Sequence, residues 1–290
     1  MKTRLSILGA GLLLSTLNTQ VSICSAATTI NPTNKYAYGA NIGWMDWRGD
    51  TNNGAVIGEY VCFGYIYAAN VGWNNLGGGD PTNGIYYQNL SANDFGVNQD
   101  GLGNLRGYAY GANIGWINFE TNGSPKVDLG SGQMSGFIYS ANCGWISLSN
   151  AFAYVQTDTI QRGALAPNGL PIAWLLQNFG TTNVNANADA DGDGMSNRQE
   201  YLAGTNPNDA NDALRITTFQ RGNFGQPAQI DLTWTSKPTR FYAVQSDTTL
   251  GALPFADLLD LPSAGANNAA FLDFNANSFY RIRAFRPLTP

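Results

Sequence analysis

The chain has 290 residues with a net charge of −5, and it contains no histidine. Without histidine, Ser-His-Asp and Cys-His catalysis are excluded, as are histidine metal sites. An acidic chain also lacks the clustered Lys and Arg that nucleic-acid binding requires. At this length, two or three domains are expected.

Residues 1–26 have the pattern of a secretory signal peptide. Lys2 and Arg4 precede the apolar run 5–17, and small residues follow at 24–27, where cleavage would occur. Cleavage would remove two of the 15 basic residues and, against 20 acidic ones, leave a net charge of about −7. The apolar run is too short to span a membrane. We therefore expect a secreted protein, extracellular or at the cell surface, with no transmembrane segment in its mature chain.

Residues 35–157 contain four copies of one aromatic motif. The copies are YAYGANIGW (36–44), YIYAANVGW (65–73), YAYGANIGW (108–116) and FIYSANCGW (137–145). Their tryptophans lie 29, 43 and 29 residues apart, so copies one and three, and copies two and four, are each separated by 72 residues. Such spacing predicts one supersecondary unit that buries its apolar face on its neighbours.

Each copy is predicted to form a β-hairpin. Tyr-x-Tyr is strand-like, the small-Ala-Asn sequence suits a turn because asparagine tolerates the left-handed conformation, and the Gly-Trp segment begins a second strand. In the third copy, alternation would put Ile114, Trp116 and Asn118 on one face of that strand. The pattern leaves open whether the hairpins form a sandwich, a barrel or a short solenoid.

Two roles are open for the repeated aromatic residues. A ring repeated in every copy of a small β unit usually packs in the core, and we favour that role. Tyrosine and tryptophan also suit a wet ligand-facing surface, on which a polysaccharide would bind. The candidate residues are Trp44, Trp73, Trp116, Trp145, Tyr38, Tyr67, Tyr110 and Tyr139.

The motif resembles the GYAW-x-x-NIGWISF-type repeat of exported bacterial proteins, a resemblance that implies little about activity. A glycosidase would need two carboxyl groups across a cleft. Asp46, Glu59, Asp80, Asp94 and Glu120 are available, but their spacing selects no pair. Cys62 and Cys143 of the exported chain could form a disulfide or remain as buried thiols.

A calcium-binding loop is predicted at residues 189–200, DADGDGMSNRQE. This segment fills every position of the pattern D-x-D-x-D-G-x5-E. A frame that starts two residues earlier would place Arg198 at the closing position, where a cation would repel the metal. The expected calcium ligands are the side chains of Asp189, Asp191, Asp193, Asn197 and Glu200 and the main-chain carbonyl of Met195.

Short helices are expected on both sides of the loop. Pro171 suits the first turn of one helix and Gly180 suits its end, whereas a second helix should span about 196–202 and end at Gly204. Together with EYLAGTNPND, residues 171–212 resemble the bacterial thrombospondin type 3 calcium repeat, a relative of EF-hand and dockerin loops. The resemblance implies one unpaired calcium site in a linker or spacer that the ion stiffens.

Residues 213–290 are predicted to form a second β module. Strands are expected at 214–219, 229–235, 240–246, 269–274 and 278–285, separated by turn residues, which favours a sandwich. The pattern resembles a fibronectin-III-like module of exported bacterial proteins. The sequence thus predicts a mainly β protein: a tandem hairpin-repeat domain, a helix–calcium loop–helix linker and a C-terminal fibronectin-III-like β-sandwich.

These features together favour a secreted, non-enzymatic, modular protein that calcium stabilises and that acts in adhesion or structure at the cell surface or matrix. A carbohydrate-binding protein and a secreted glycoside hydrolase are the alternatives. Its expected partners are extracellular polysaccharides or cell-surface components.

Overall fold

The computed structural model describes residues 27–221, 229–248, 255–263, 265–273 and 279–289. The predicted signal peptide, 1–26, lies outside these residues. Most of the regular structure in the described residues is β-strand, which confirms the predicted mainly β class. Among the described residues, no helix is both long and apolar enough to cross a bilayer.

Thirteen strands form the N-terminal region. They are β1 (Ile30–Gly39), β2 (Gly43–Asp46), β3 (Val61–Cys62), β4 (Tyr65–Ala68), β5 (Gly72–Asn75), β6 (Val97–Gln99), β7 (Leu105–Gly111), β8 (Gly115–Asn118), β9 (Lys126–Val127), β10 (Met134–Ser135), β11 (Phe137–Ser140), β12 (Gly144–Ser147) and β13 (Val155–Thr157).

The four motif copies are hairpins, as predicted, and together they close a ring. The hairpins are β1–β2, β4–β5, β7–β8 and β11–β12. Antiparallel pairs β2–β4, β5–β7 and β8–β11 join successive hairpins, and β12 pairs with β1. Eight strands therefore form one closed sheet, which leaves no unpaired edge between the copies.

The interior of the ring is filled by equivalent residues of the four copies, all buried. One layer holds Ala37, Ile66, Ala109 and Ile138, and a lower layer holds Trp47, Leu76, Phe119 and Leu148. Copies one and three lie opposite each other, and each pairs a small alanine with a large aromatic residue. The rings of Trp47 and Phe119 meet edge to face at 6.3 Å. The inward residues of copies one and three thus differ in size from those of copies two and four, in step with the 72-residue period.

In each turn, the residue with the left-handed conformation is not the one that was predicted. Gly43, Gly72, Gly115 and Gly144 have φ between 71° and 80°, whereas the asparagine of each turn does not have positive φ. Because the turn glycine breaks the strand pattern, the residue before it points inward: Ile114 is buried although Trp116 is exposed. The prediction that these two side chains share a face was therefore wrong.

The turn asparagines instead connect the hairpins in a closed circle of hydrogen bonds. Each side-chain amide donates to a turn carbonyl of the preceding hairpin, and the first hairpin donates to the fourth. The four bonds are Asn41 to Cys143 O (3.0 Å), Asn70 to Ile42 O (3.0 Å), Asn113 to Val71 O (3.1 Å) and Asn142 to Ile114 O (3.1 Å). The asparagine therefore recurs in every copy because it connects that copy to its neighbour.

Cys62 and Cys143 are buried free thiols, so they do not form the disulfide that was one of the two alternatives.

Two helices form the linker. Helix α1 (Ile172–Phe179) starts after Pro171 and ends at Gly180, which is left-handed with φ 67°. Helix α2 (Asn197–Ala203) starts at a capping box. The Ser196 side chain accepts a hydrogen bond from the main-chain amide of Gln199, and the Gln199 side chain accepts one from the main-chain amide of Ser196. The prediction that Gly204 ends this helix is also confirmed. Trp174, Leu175 and Tyr201 belong to a small buried core of the linker.

The described C-terminal strands form two three-stranded antiparallel sheets around one core. The strands are β14 (Ile216–Arg221), β15 (Gln229–Thr235), β16 (Phe241–Asp247), β17 (Ala256–Pro262), β18 (Asn267–Asp273) and β19 (Phe279–Phe285). One sheet has the order β14-β15-β18 and the other β17-β16-β19. Trp234 of the first sheet and Tyr242 of the second lie in the shared core. The two sheets agree with the predicted sandwich. Among the described strands, sequence inspection missed β17, which is mostly exposed.

Candidate metal centre and aromatic surface

The acidic loop is held in shape by its own main chain. Asp189 accepts hydrogen bonds from the amides of Gly192 (2.7 Å) and Gly194 (2.8 Å). Asp191 accepts from the Asp193 amide (3.2 Å), and Asp193 accepts from the Met195 amide (2.7 Å). These bonds bring the three aspartates together: each contributes an oxygen, and these oxygens lie within 4.8 Å of one another.

Five side-chain oxygens of the loop are buried and have no hydrogen-bond donor. They are Asp191 Oδ2, Asp193 Oδ2, Asn197 Oδ1 and both carboxylate oxygens of Glu200. Asn197 uses its amide nitrogen on the Asn185 carbonyl at 2.9 Å, so its oxygen is the atom left for a ligand. A buried acceptor without a donor costs free energy. A cation bound among these oxygens would remove that cost.

Glu200 shows the electrostatic strain most clearly. Its carboxyl is fully buried. Burial, followed by the nearby charges of Asp191 and Asp193, raises the pKa of Glu200 to about 7. Asp189, Asp191 and Asp193 form the close group of carboxylates, and Glu200 lies near enough for their charges to act on it. Among the described residues, Arg215 forms an ion pair with this group, with its Nη2 3.7 Å from Asp193 Oδ2. A divalent cation would balance this charge better than that single guanidinium.

The residues fit calcium by the chemistry of their donors. All available atoms are oxygens, which a hard cation prefers, and the set combines carboxylates with an amide oxygen. Met195 also ties the loop to the next module, because its Sδ accepts a hydrogen bond from the Leu214 amide at 3.3 Å. Sequence inspection missed Arg215 and this contact, since no local motif identifies either.

The repeated aromatic residues lie on the outside of the ring, so the favoured core-packing role was wrong for them. The four tryptophans are 46–50% exposed and the four tyrosines 39–40% exposed. The inward positions belong to the small or aliphatic residues between the aromatic ones. An eight-stranded ring has a narrow interior, which these side chains fill.

Each tryptophan lies between two aromatic residues of the opposite strand. The closer partner is its directly paired tyrosine, with ring centroids 4.9–5.0 Å apart in all four copies. The second partner lies at 6.1–6.3 Å. We name each group an aromatic triad. Cross-strand pairs of this kind stabilise a hairpin by about 0.2–1 kcal/mol.

The triad of Trp116 differs from the other three. The longer connection between copies two and three folds over it, and the Phe95 ring meets Trp116 edge to face at 5.1 Å. Asn89, Ser91 and Tyr108 contribute to the same groove, whose volume is about 480 Å³. An indole face beside amide and hydroxyl groups is therefore accessible there.

Several acids considered for two-carboxylate catalysis have structural contacts instead. Asp46 pairs with Lys35 and accepts from the Arg48 amide at 2.9 Å. Asp94 accepts from the Thr82 hydroxyl at 2.7 Å. The amides of Gly77 and Glu120 bond to Asn75 and Asn118, at the position equivalent to Asp46. In copies two and three a neutral side-chain oxygen accepts this bond, so a charge is not required at this position.

No curated protein and no solved structure matches this chain. Residues 189–210 match the family model of the bacterial TSP3 repeat, which confirms the predicted resemblance to the thrombospondin type 3 repeat over this segment. Repeats of this family bind calcium, have structural roles and occur in extracellular proteins. The loop at Asp189–Glu200 is therefore similar to a bacterial TSP3 calcium repeat.

Proposed function

We propose that this chain is an extracellular, non-enzymatic structural protein that one calcium ion stabilises, with a role in adhesion at the cell surface or matrix. Asp189, Asp191, Asp193, Asn197 and Glu200 would hold the ion with their side chains, and Met195 would contribute its carbonyl. The observation that supports this proposal is a set of five buried side-chain oxygens without a donor, beside three aspartates whose oxygens lie within 4.8 Å of one another.

The ion would act on stability. A ligand that binds only the folded form stabilises it by about 2.7 kcal/mol when its concentration is 100 times its Kd. We expect calorimetry to detect one calcium per chain, and we expect the melting temperature to fall in excess chelator. Equal melting temperatures with calcium and with chelator, together with no retained calcium, would refute the metal site.

The extracellular role rests on the matched repeat family and on the signal-like segment 1–26. Fractionation of cells that express the full chain would test it, with the protein expected in the medium or on the surface. Retention of the full-length protein inside the cell would contradict this part of the proposal.

A second candidate function is the binding of an extracellular polysaccharide by the aromatic triads. Four half-exposed tryptophans around one ring favour it, because flat indole faces suit the apolar face of a sugar ring and four equivalent sites would add avidity. The groove beside Trp116 adds polar groups that could fix the orientation of a sugar.

A titration of soluble polysaccharides against intrinsic tryptophan fluorescence would test this candidate. Trp116→Ala should weaken binding, whereas Phe152→Ala should not, since Phe152 is exposed but lies outside the triads. Equal loss in both variants, or no response to a broad polysaccharide panel, would exclude it.

A further inference from the structure

Helix α2 joins the metal loop to a second buried cluster. Glu200 points into the loop, and the next residue, Tyr201, points elsewhere because successive residues on a helix are separated by about 100°. The Tyr201 hydroxyl donates to Glu59 Oε2 at 2.9 Å, although Glu59 belongs to the N-terminal region. The helix therefore touches the metal loop on one side and another module on the other.

Two arginines complete this cluster from the C-terminal sandwich. Arg286 Nε lies 3.3 Å from Glu59 Oε2, and Arg240 Nη2 lies 3.7 Å from Glu59 Oε1. Both guanidinium groups also stand over the Tyr201 ring, at 5.9 Å for Arg240 and 5.7 Å for Arg286. We name Glu59, Tyr201, Arg240 and Arg286 the junction cluster. It draws one residue from the N-terminal region, one from the linker and two from the sandwich.

The arginines of the junction cluster are buried, and the cluster depends on helix α2. Arg240 and Arg286 are only 6% and 5% exposed. Arg240 donates to the carbonyls of Leu202 (2.9 Å) and Tyr201 (2.6 Å), both in the helix. A buried guanidinium needs such partners to compensate for lost hydration. If α2 were displaced, Arg240 would lose the carbonyls of Tyr201 and Leu202 as acceptors.

Two hydrogen bonds between the modules lie beside the junction cluster. The Ile160 amide donates to the Leu288 carbonyl at 2.8 Å, and Arg286 Nη2 donates to the Ile160 carbonyl at 3.3 Å. Leu288 also packs against the core of the N-terminal region. The sandwich is thus docked on the N-terminal region, and the Ile160 amide reports that docking directly.

We propose that calcium in the loop controls the docking of the C-terminal sandwich on the N-terminal region through helix α2 and the junction cluster. The inference rests on the proposed calcium site. Asn197 and Glu200 fix the helix to the ion, and Tyr201 and Leu202 present the atoms that Glu59 and Arg240 require. Without calcium, repulsion among the carboxylates displaces α2, and the sandwich separates from the N-terminal region.

Hydrogen exchange of the full chain, with calcium and with chelator, tests this coupling. We expect chelation to speed exchange at the Ile160 amide by at least about tenfold, a usual size for coupled sites. The Ile146 amide, inside the ring sheet, should not change. Calorimetry on the same samples measures calcium binding separately. Uptake of calcium with no change at Ile160 overturns the coupling but not the calcium site. No uptake refutes the site itself.

Two variants separate the cluster from the loop. Glu59→Gln leaves both arginines without their carboxylate, so Ile160 exchange should be fast whether or not calcium is present. By linkage, its calcium affinity should fall by no more than the factor that calcium produces at Ile160. Glu120→Gln, which changes a carboxyl that bonds the Gly107 amide instead, should behave as the unchanged protein. Calcium-dependent protection of Ile160 that persists in Glu59→Gln would overturn the proposal.

Discussion

Glu200→Gln should stabilise the protein without calcium and remove most of the stabilisation that calcium provides. Without the ion, the Glu200 carboxylate is buried beside Asp191 and Asp193, which raises its pKa to about 7 from an ordinary 4.5. At pH 8 the group is ionised and destabilises the fold. A pKa difference of this size corresponds to about 3 kcal/mol as an upper bound. We expect the neutral amide to raise the free energy of unfolding in chelator by about 1–3 kcal/mol.

With calcium the same substitution removes a ligand. Glutamine offers one neutral oxygen where glutamate offers two charged ones, so we expect affinity to fall on the order of 100-fold. At a calcium concentration 100 times the original Kd, the stabilisation by calcium would fall from about 2.7 to about 0.4 kcal/mol. The variant should therefore be the more stable protein in chelator and gain little when calcium is added.

Urea unfolding at pH 8, in chelator and in excess calcium, measures both quantities. Asp209→Asn is the matched control, because it removes one negative charge from the same segment outside the ligand set. It should keep the full calcium gain. If Glu200→Gln were less stable than the unchanged protein in chelator, or gained as much from calcium, the assignment of Glu200 as the closing ligand would be wrong.

Three further predictions concern the ring. Gly115→Ala should lower the free energy of unfolding by about 1–2 kcal/mol, because Gly115 has φ 71° and L-residues disfavour that region. Gly78→Ala is the control, because a Cβ added at Gly78 would lie in open space. It should leave the free energy of unfolding unchanged in the same urea assay. Asn113→Ala should lower the free energy of unfolding by about 1 kcal/mol, because it removes one hydrogen bond between neighbouring hairpins. An unchanged urea midpoint would show that this bond does not stabilise the ring. Cys62 and Cys143 should resist thiol reagents at pH 8.5 until urea unfolds the chain, because both thiols are buried. Burial also raises the pKa of Cys62 to about 12. Rapid labelling of these two thiols in the native protein would contradict this prediction.

The metal loop could be predicted residue by residue because its information is local. Twelve consecutive residues contain the predicted ligands, and the choice of frame depends on one position, where Glu200 closes the loop and Arg198 does not. Arg215 could not be found in this way. Its approach to Asp193 depends on how the chain leaves the linker, which no periodic pattern records.

The hairpins of the repeat could be predicted, but their closure into a ring could not. Strand pairing within a copy follows from its own turn, whereas β12 meets β1 across more than a hundred residues. The same limit explains the error on the aromatic residues. A tyrosine on a strand is equally compatible with either face, and only the narrow interior of a closed eight-stranded sheet decides that Ala37 points inward and Tyr38 outward.

The linker shows why a motif can identify a ligand set without identifying its structural consequence. A resemblance to the calcium repeat implies a stiffened spacer, which would hold two modules apart. In the structure, Tyr201 instead bonds Glu59 of one module while Arg240 and Arg286 of the other enclose its ring. Two positively charged groups share one carboxylate there, and the helix α2 carbonyls of Tyr201 and Leu202 give Arg240 two further acceptors. Two of the predicted ligands, Asn197 and Glu200, lie on this helix together with Tyr201 and Leu202, which contact the other modules. The metal loop and the junction cluster therefore share one seven-residue element, Asn197–Ala203.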